Sequence, residues 1–269
     1  MRRFVTLFLS LAFAVATAGL AQAPDASDEA SFGYLPLARI LPVVGSTAGA
    51  AGSFFKTSIQ VFNPSPSPIP GRFVFHASGT PGSPSDPSLD FTVAPQQTIQ
   101  WSDVLPAMGL SGLGTLDVML PSASASPAII VSRVFNDAEQ AGTSGFTEES
   151  VNVTDIGPGG LVITNAQTGY LVLPADLVRF RFNIGIRTLA STATLQFTVF
   201  DAQGNSVGSA SRSVGPSSVL QQEAGAMLGV ALPPNGTIRV RVSGSGSIIY
   251  GATTDNITND PSIQFARTY

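Results

Sequence analysis

Apolar and polar residues alternate along most of the chain with a period of two. From Arg179 to Arg187, Phe180, Phe182, Ile184 and Ile186 share one face of an extended strand, while Arg179, Arg181, Asn183 and Arg187 share the other. Ile238, Val240 and Val242 alternate with Arg239, Arg241 and Ser243, and Leu195, Phe197 and Val199 with Thr194, Gln196 and Thr198. In the first half, Phe55, Ile59 and Val61 alternate with Lys56, Ser58 and Gln60. Phe73, Phe75 and Ala77 alternate there with Arg72, Val74 and His76. A period of two in β-branched and aromatic residues predicts strands with one buried face. One-sided burial favours antiparallel sheets, because strands covered on both faces read as continuous apolar runs. Turn formers separate the strands, and Asn235-Gly236 just before Ile238 is a hairpin signal. Two short helical turns are expected, one from Ser102 to Met108 and one near Gln221 to Leu228. Ser102 is the expected N-cap of the first, and Pro106 limits its length.

Small motifs recur in the same order in both halves. Gly33-Tyr34-Leu35 matches Gly169-Tyr170-Leu171, and the strand from Phe55 to Asn63 matches that from Arg181 to Thr188. Arg72 to Ala77 matches Leu195 to Phe200, Leu116 to Leu120 matches Ile238 to Val242, and Asn136-Asp137 matches Asn259-Asp260. The expected fold is therefore all-β: two tandem antiparallel β-sandwich (immunoglobulin-like) domains from a diverged internal duplication. Each unit has the size of such a sandwich. A closed barrel stays open as the competitor, since patterning does not separate the two. The expected boundaries are 1–23 for a signal peptide, 24–32 for a flexible N-terminal arm, 33–165 for the first sandwich and 166–269 for the second.

Three stretches carry a family resemblance: the run from Phe54 to Pro64, Phe182-Asn183-Ile184-Gly185, and Asp255-Asn256 with Asn259-Asp260. With them the chain resembles exported bacterial proteins with tandem immunoglobulin-like sandwiches. The resemblance implies a fold and a compartment, and it transfers no catalytic residue.

The beginning of the chain reads as an address. Arg2 and Arg3 are basic, Leu7 to Ala18 is apolar, and Ala21-Gln22-Ala23 is a small-residue cleavage site. These are the parts of a secretory signal, with cutting expected after Ala23 to leave Pro24 first. The apolar run is short for the ~20 residues of a membrane helix. No later segment reads as a span. The adjacent arginines hint at the twin-arginine route, although Phe4 makes that pattern imperfect. With no cysteine in 269 residues, neither a disulfide framework nor lipid attachment at cysteine is available. The exported chain would carry 11 basic and 17 acidic side chains, a balance opposite to that of a nucleic-acid binder.

Most residues that could carry chemistry read as structural. Ser-His-Asp hydrolysis needs a histidine, and the one histidine, His76, reads as a solvent-facing strand residue. Gly45-Ser46-Thr47-Ala48-Gly49 has Thr at the centre, where a nucleophile elbow needs Ser. Glu148-Glu149 is the tempting carboxylate pair, yet it reads as part of a solvated loop. Asp255, Asn256, Asn259 and Asp260 supply oxygens of the kind calcium accepts, though without the alternation of an EF-hand, and turn formation is the simpler reading. Trp101 reads as core rather than as a sugar platform. Asn152, Asn235 and Asn256 are Asn-x-Thr sequons, relevant only in a source that glycosylates exported chains. No catalytic residue, cofactor or metal ligand is therefore assigned.

Charge offers one candidate site. Residues 24–168 carry 4 basic and 12 acidic side chains, whereas residues 169–269 carry 7 and 5. Arg179, Arg181, Arg239 and Arg241 would form one basic patch if their strands shared a sheet, and could then hold an anionic surface polymer or a protein partner. The expected function is that of an exported non-catalytic binding, adhesion or structural protein, secreted or held in the cell envelope. The alternatives are a secreted carboxylate-based hydrolase and a fibre-forming subunit.

Overall fold

Nearly every alternating segment is a strand. A computed structural model describes residues 37–121, 128–139, 142–165 and 167–268. The signal segment, its cleavage site after Ala23, the arm and Gly33-Tyr34-Leu35 lie outside the described residues. The fold is all-β and sandwich-like, with antiparallel sheets.

The first half contains β1 (Leu37–Ala48), β2 (Phe54–Phe62), β3 (Ile69–Ala77), β4 (Ser88–Val93), β5 (Thr98–Trp101), β6 (Gly112–Met119), β7 (Ile129–Asp137), β8 (Thr143–Glu149) and β9 (Val151–Asn152). One layer has the order β4-β3-β6-β1-β9 and the other β5-β2-β7-β8. β1 is long enough to join them, because Thr47 and Ala48 pair with Phe55 and Phe54. Between the layers lies a core of Leu41, Val44, Ile59, Val61, Phe73, Phe75, Leu116 and Val118. Trp101 packs edge-on against Phe73 and Phe91 beside that core, with ring centroids 5.2 and 5.6 Å away.

The second half contains β10 (Val162–Ile163), β11 (Thr168–Val172), β12 (Phe180–Thr188), β13 (Ala193–Phe200), β14 (Ser206–Val214), β15 (Val219–Glu223), β16 (Thr237–Gly244), β17 (Ser247–Asp255), β18 (Pro261–Phe265) and β19 (Arg267–Thr268). Its layers are β14-β13-β16-β11-β19 and β15-β12-β17, with β10 and β18 both on the far edge of β17. Strand for strand, the pairing from β11 to β19 repeats that from β1 to β9. Among the described strands, only β10 and the β1–β2 contact lack a counterpart. The second core contains Phe182, Ile184, Phe197 and Val240 as expected, each no more than 1% exposed.

Helices α1 (Val104–Ala107) and α2 (Ala224–Leu228) occupy equivalent places, α1 between β5 and β6 and α2 between their counterparts β15 and β16. Both differ in detail from the expectation. Asp103, not Ser102, stands at the N-cap of α1, and its carboxylate accepts the Ser46 hydroxyl at 2.8 Å instead of capping. Gln221 to Glu223 belong to β15, and the Glu223 carboxylate caps α2 through the N–H groups of Gly225 and Ala226. α2 stops at Gly229, whose φ of 65° suits a residue without a Cβ. The described residues from 37 onward fall in one compact unit, so the halves pack directly on each other.

A buried seam and a candidate binding crevice

The halves meet along faces that the alternation marks as polar. On β12, Phe182, Ile184 and Ile186 enter the second core, while Arg181, Asn183, Gly185 and Arg187 turn toward the first half. Arg187 is fully buried, and its guanidinium donates to Asp117 on β6 and to the Thr188 carbonyl. Asp117 also lies 3.0 Å from His76 Nε2, and His76 Nδ1 is 2.6 Å from Asp86. Two basic side chains and two carboxylates thus form one cluster across the junction. Burial alone would favour neutral His76, but Asp117 and Asp86 outweigh it and hold its pKa above the ordinary value. Burial likewise disfavours ionised Asp117, and His76 with Arg187 overcomes this and lowers its pKa. The Arg187 Nε is buried without a hydrogen-bond partner.

His76 is therefore not solvent-facing: it is 3% exposed, because the outer face of β3 lies under second-half residues. Gly82 fits against Ser217 and His76 with no room for a Cβ, and its N–H donates to the Pro216 carbonyl at 3.2 Å. Gly79 N–H similarly donates to Val219 at 2.9 Å. With both ring nitrogens on carboxylates, which favour its protonated form, His76 has a structural task.

Two apolar patches extend the seam. One contains Ile40, Val151, Val162 and Ile248, and the other Val43, Val134, Tyr250 and Ala252. Gly185 sits under the Tyr250 ring, where any Cβ would collide with it. Glu148 lies in this region too. It belongs to strand β8 and is 3% exposed, which corrects the reading of Glu148-Glu149 as a solvated loop. Its side chain accepts from the Ser132 hydroxyl at 3.1 Å and the Val43 N–H, while Oε2 has no partner. Burial pushes its pKa up to about 8, offset only in part by those two donors. Burial, together with nearby Glu148, also raises the pKa of Tyr250, whose hydroxyl donates to Gln221 at 2.8 Å.

Beyond Tyr250 the seam opens into a crevice of about 340 Å³ walled by both halves. Val43, Phe55, Leu113, Val134 and Phe146 come from the first half, and Arg181, Asn183, Gln221, Ala252 and Thr254 from the second. The size, the mainly apolar walls and the few polar side chains match the general character of small-molecule sites, which favour such interfaces.

The four arginines singled out in the sequence do not share a sheet. Arg181 is in β12 and Arg179 just precedes it, whereas Arg239 and Arg241 are in β16 of the opposite layer. Arg239 lies over the Phe200 ring and donates to Thr198 at 3.3 Å. Arg241 borders a hollow of about 370 Å³ whose described lining comes from its own layer and the adjoining Gln167. Arg179 pairs with Asp255 at 2.9 Å, and Arg181 donates to Asn256 and Asn259, each at 3.1 Å. The Asp255 to Asp260 segment is thus a turn. Asp255 also accepts the N–H groups of Ile257 and Thr258, and these bonds, with Arg179, lower its pKa. Among the described residues, no group of three or more His, Cys, Asp or Glu side chains gathers in a metal-binding arrangement. Asn152, Asn235 and Asn256 are all exposed. No described helix is long and apolar enough to cross a membrane.

Arg187 and Asp117 are the residues that sequence reasoning missed. Gly185, two positions from Arg187, was the available signal, since an in-strand glycine marks close approach by another group. No family model and no curated protein matches the chain.

Proposed function

We propose that the chain is an exported, non-catalytic binding protein made of two immunoglobulin-like sandwiches that arose by duplication. The observation that carries the binding role is the crevice, which neither half forms alone. The locked seam beside it supplies a rigid frame, and rigid sites bind with less loss of conformational freedom. Repetition of the strand pairing supports duplication, as do the motifs recurring in order along the sequence. The basic start, apolar run and Ala-x-Ala site support export. The groups a hydrolase would use have other tasks: His76 bridges two carboxylates, and Glu148 is buried in the seam.

A thermal-shift screen of small apolar compounds against the wild type and Ala48→Trp tests this reading. Ala48 is exposed at the crevice wall, so the indole should obstruct entry without disturbing a core. At least one compound should stabilise the wild type and not the variant. No such compound, or turnover of ester or glycoside substrates that Glu148→Gln abolishes, would reject it.

A further inference from the structure

We propose that the crevice takes a small apolar molecule bearing a single carboxylate, and that Arg181 receives the carboxylate. This rests on the binding role above and adds the chemistry of the ligand. Val43, Leu113, Val134, Phe146 and Ala252 provide walls with no polar side-chain atom. Arg181, in the same lining, brings a charge that its neighbours do not neutralise. Its acceptors are the side-chain carbonyls of Asn256 and Asn259 at 3.1 Å and the Asp255 backbone carbonyl at 3.5 Å, all uncharged. Among the described residues, no carboxylate lies within ion-pair distance of it. Asp255, the nearby acid, is occupied by Arg179 and two backbone N–H groups.

These contacts also hold the guanidinium in place. A guanidinium has five N–H donors in a fixed planar fork suited to two-point capture of a carboxylate. The turn uses some of them and leaves others for a ligand, already oriented. Burial lowers the Arg181 pKa, with Asp255 opposing it only from a distance, as expected for a cation short of a counter-charge. A neutral occupant would bury that charge further without compensation, and a cationic one would be repelled. Asn183, Gln221 and Thr254 add polar groups on the same wall.

Isothermal titration with octanoate, 1-octanol and octylammonium tests the assignment, since the three share a chain and differ in the head. Octanoate should bind the wild type at least tenfold more tightly than the other two. Arg181→Gln should weaken octanoate by roughly ten- to a hundredfold, the range for hydrogen bonds to charged groups. It should not weaken octanol, which then no longer buries an uncompensated charge, and Arg241→Gln, the same charge loss on another face, should leave all three unchanged. If Arg181→Gln fails to fold, wild-type titrations at falling pH decide, because the octanoate preference must fade as octanoate is protonated. Equal binding of octanoate and octanol, an indifferent Arg181→Gln, or a pH-independent preference would overturn the carboxylate assignment while leaving a binding crevice. Binding of none of the three chains would remove the carboxylate assignment and count against the binding role as well.

Discussion

Replacing Glu148 with Gln should change how stability depends on pH, and the size of the change follows from burial. In the folded protein this carboxyl titrates at about 8, against an ordinary value of 4.5. A folded-state pKa above the unfolded one means that the native state holds the proton more tightly. The associated stability is fully present below about pH 4.5 and is lost as pH rises to about 8. Each pH unit in that window is worth about 1.4 kcal/mol, so the whole interval is worth on the order of 5 kcal/mol. Gln keeps the shape and the acceptor for Ser132 and Val43 but cannot ionise. Urea unfolding of the two proteins from pH 5 to pH 9 measures the effect. His76 and Asp117 titrate in both proteins, so their contributions cancel in the difference. The Gln variant should gain on the wild type by several kcal/mol between pH 5 and pH 8, on the order of 10 °C in melting temperature for a chain of this size. Parallel stability curves would show that Glu148 stays ionised and solvated, and would refute its placement in the seam.

Arg187→Met should cost about 3–5 kcal/mol in urea unfolding, because it leaves Asp117 as a buried charge without its cross-seam partner; a loss under 1 kcal/mol would mean the pair is solvated. Gly185→Ala should destabilise by about 1–3 kcal/mol through its clash with the Tyr250 ring, and Tyr250→Ala in the same chain should relieve that clash. His76, whose pKa is raised, contributes stability fully below its unfolded value near 6.5 and loses it as pH rises through the folded value. His76→Gln should therefore be most damaging in acid and least damaging in alkali, as read by melting temperature against pH.

The strands and both cores were legible because alternation reports which side chains share a face. Phe182, Ile184, Phe197 and Val240 are buried where the pattern puts them. Alternation does not report what covers the other face. Arg187, His76 and Asp117 occupy positions that look solvated, and each is buried because its charge is balanced by a residue distant in sequence. Glu148 was misread for a related reason: the Ser and Gly around it suggest a loop, yet β8 pairs with β7 from Thr143 to Glu149. The basic patch failed as a single site because periodicity gives no sheet membership. β12 and β16 have the same pattern and lie in opposite layers. The partners of Arg179 and Arg181 were in plain view as the Asp255 to Asp260 cluster, but only the topology brings that turn to the start of β12.

Methyl-resolved NMR with octanoate tests the binding account most directly, because the crevice is walled by methyl-bearing residues from both halves. Titration should shift Val43, Leu113, Val134 and Ala252 together, with one dissociation constant, and leave Val207 and Val172 on outer surfaces unchanged. Shifts confined to one half, or spread over the outer sheet faces with Val43 and Ala252 silent, would contradict a ligand site formed between the halves.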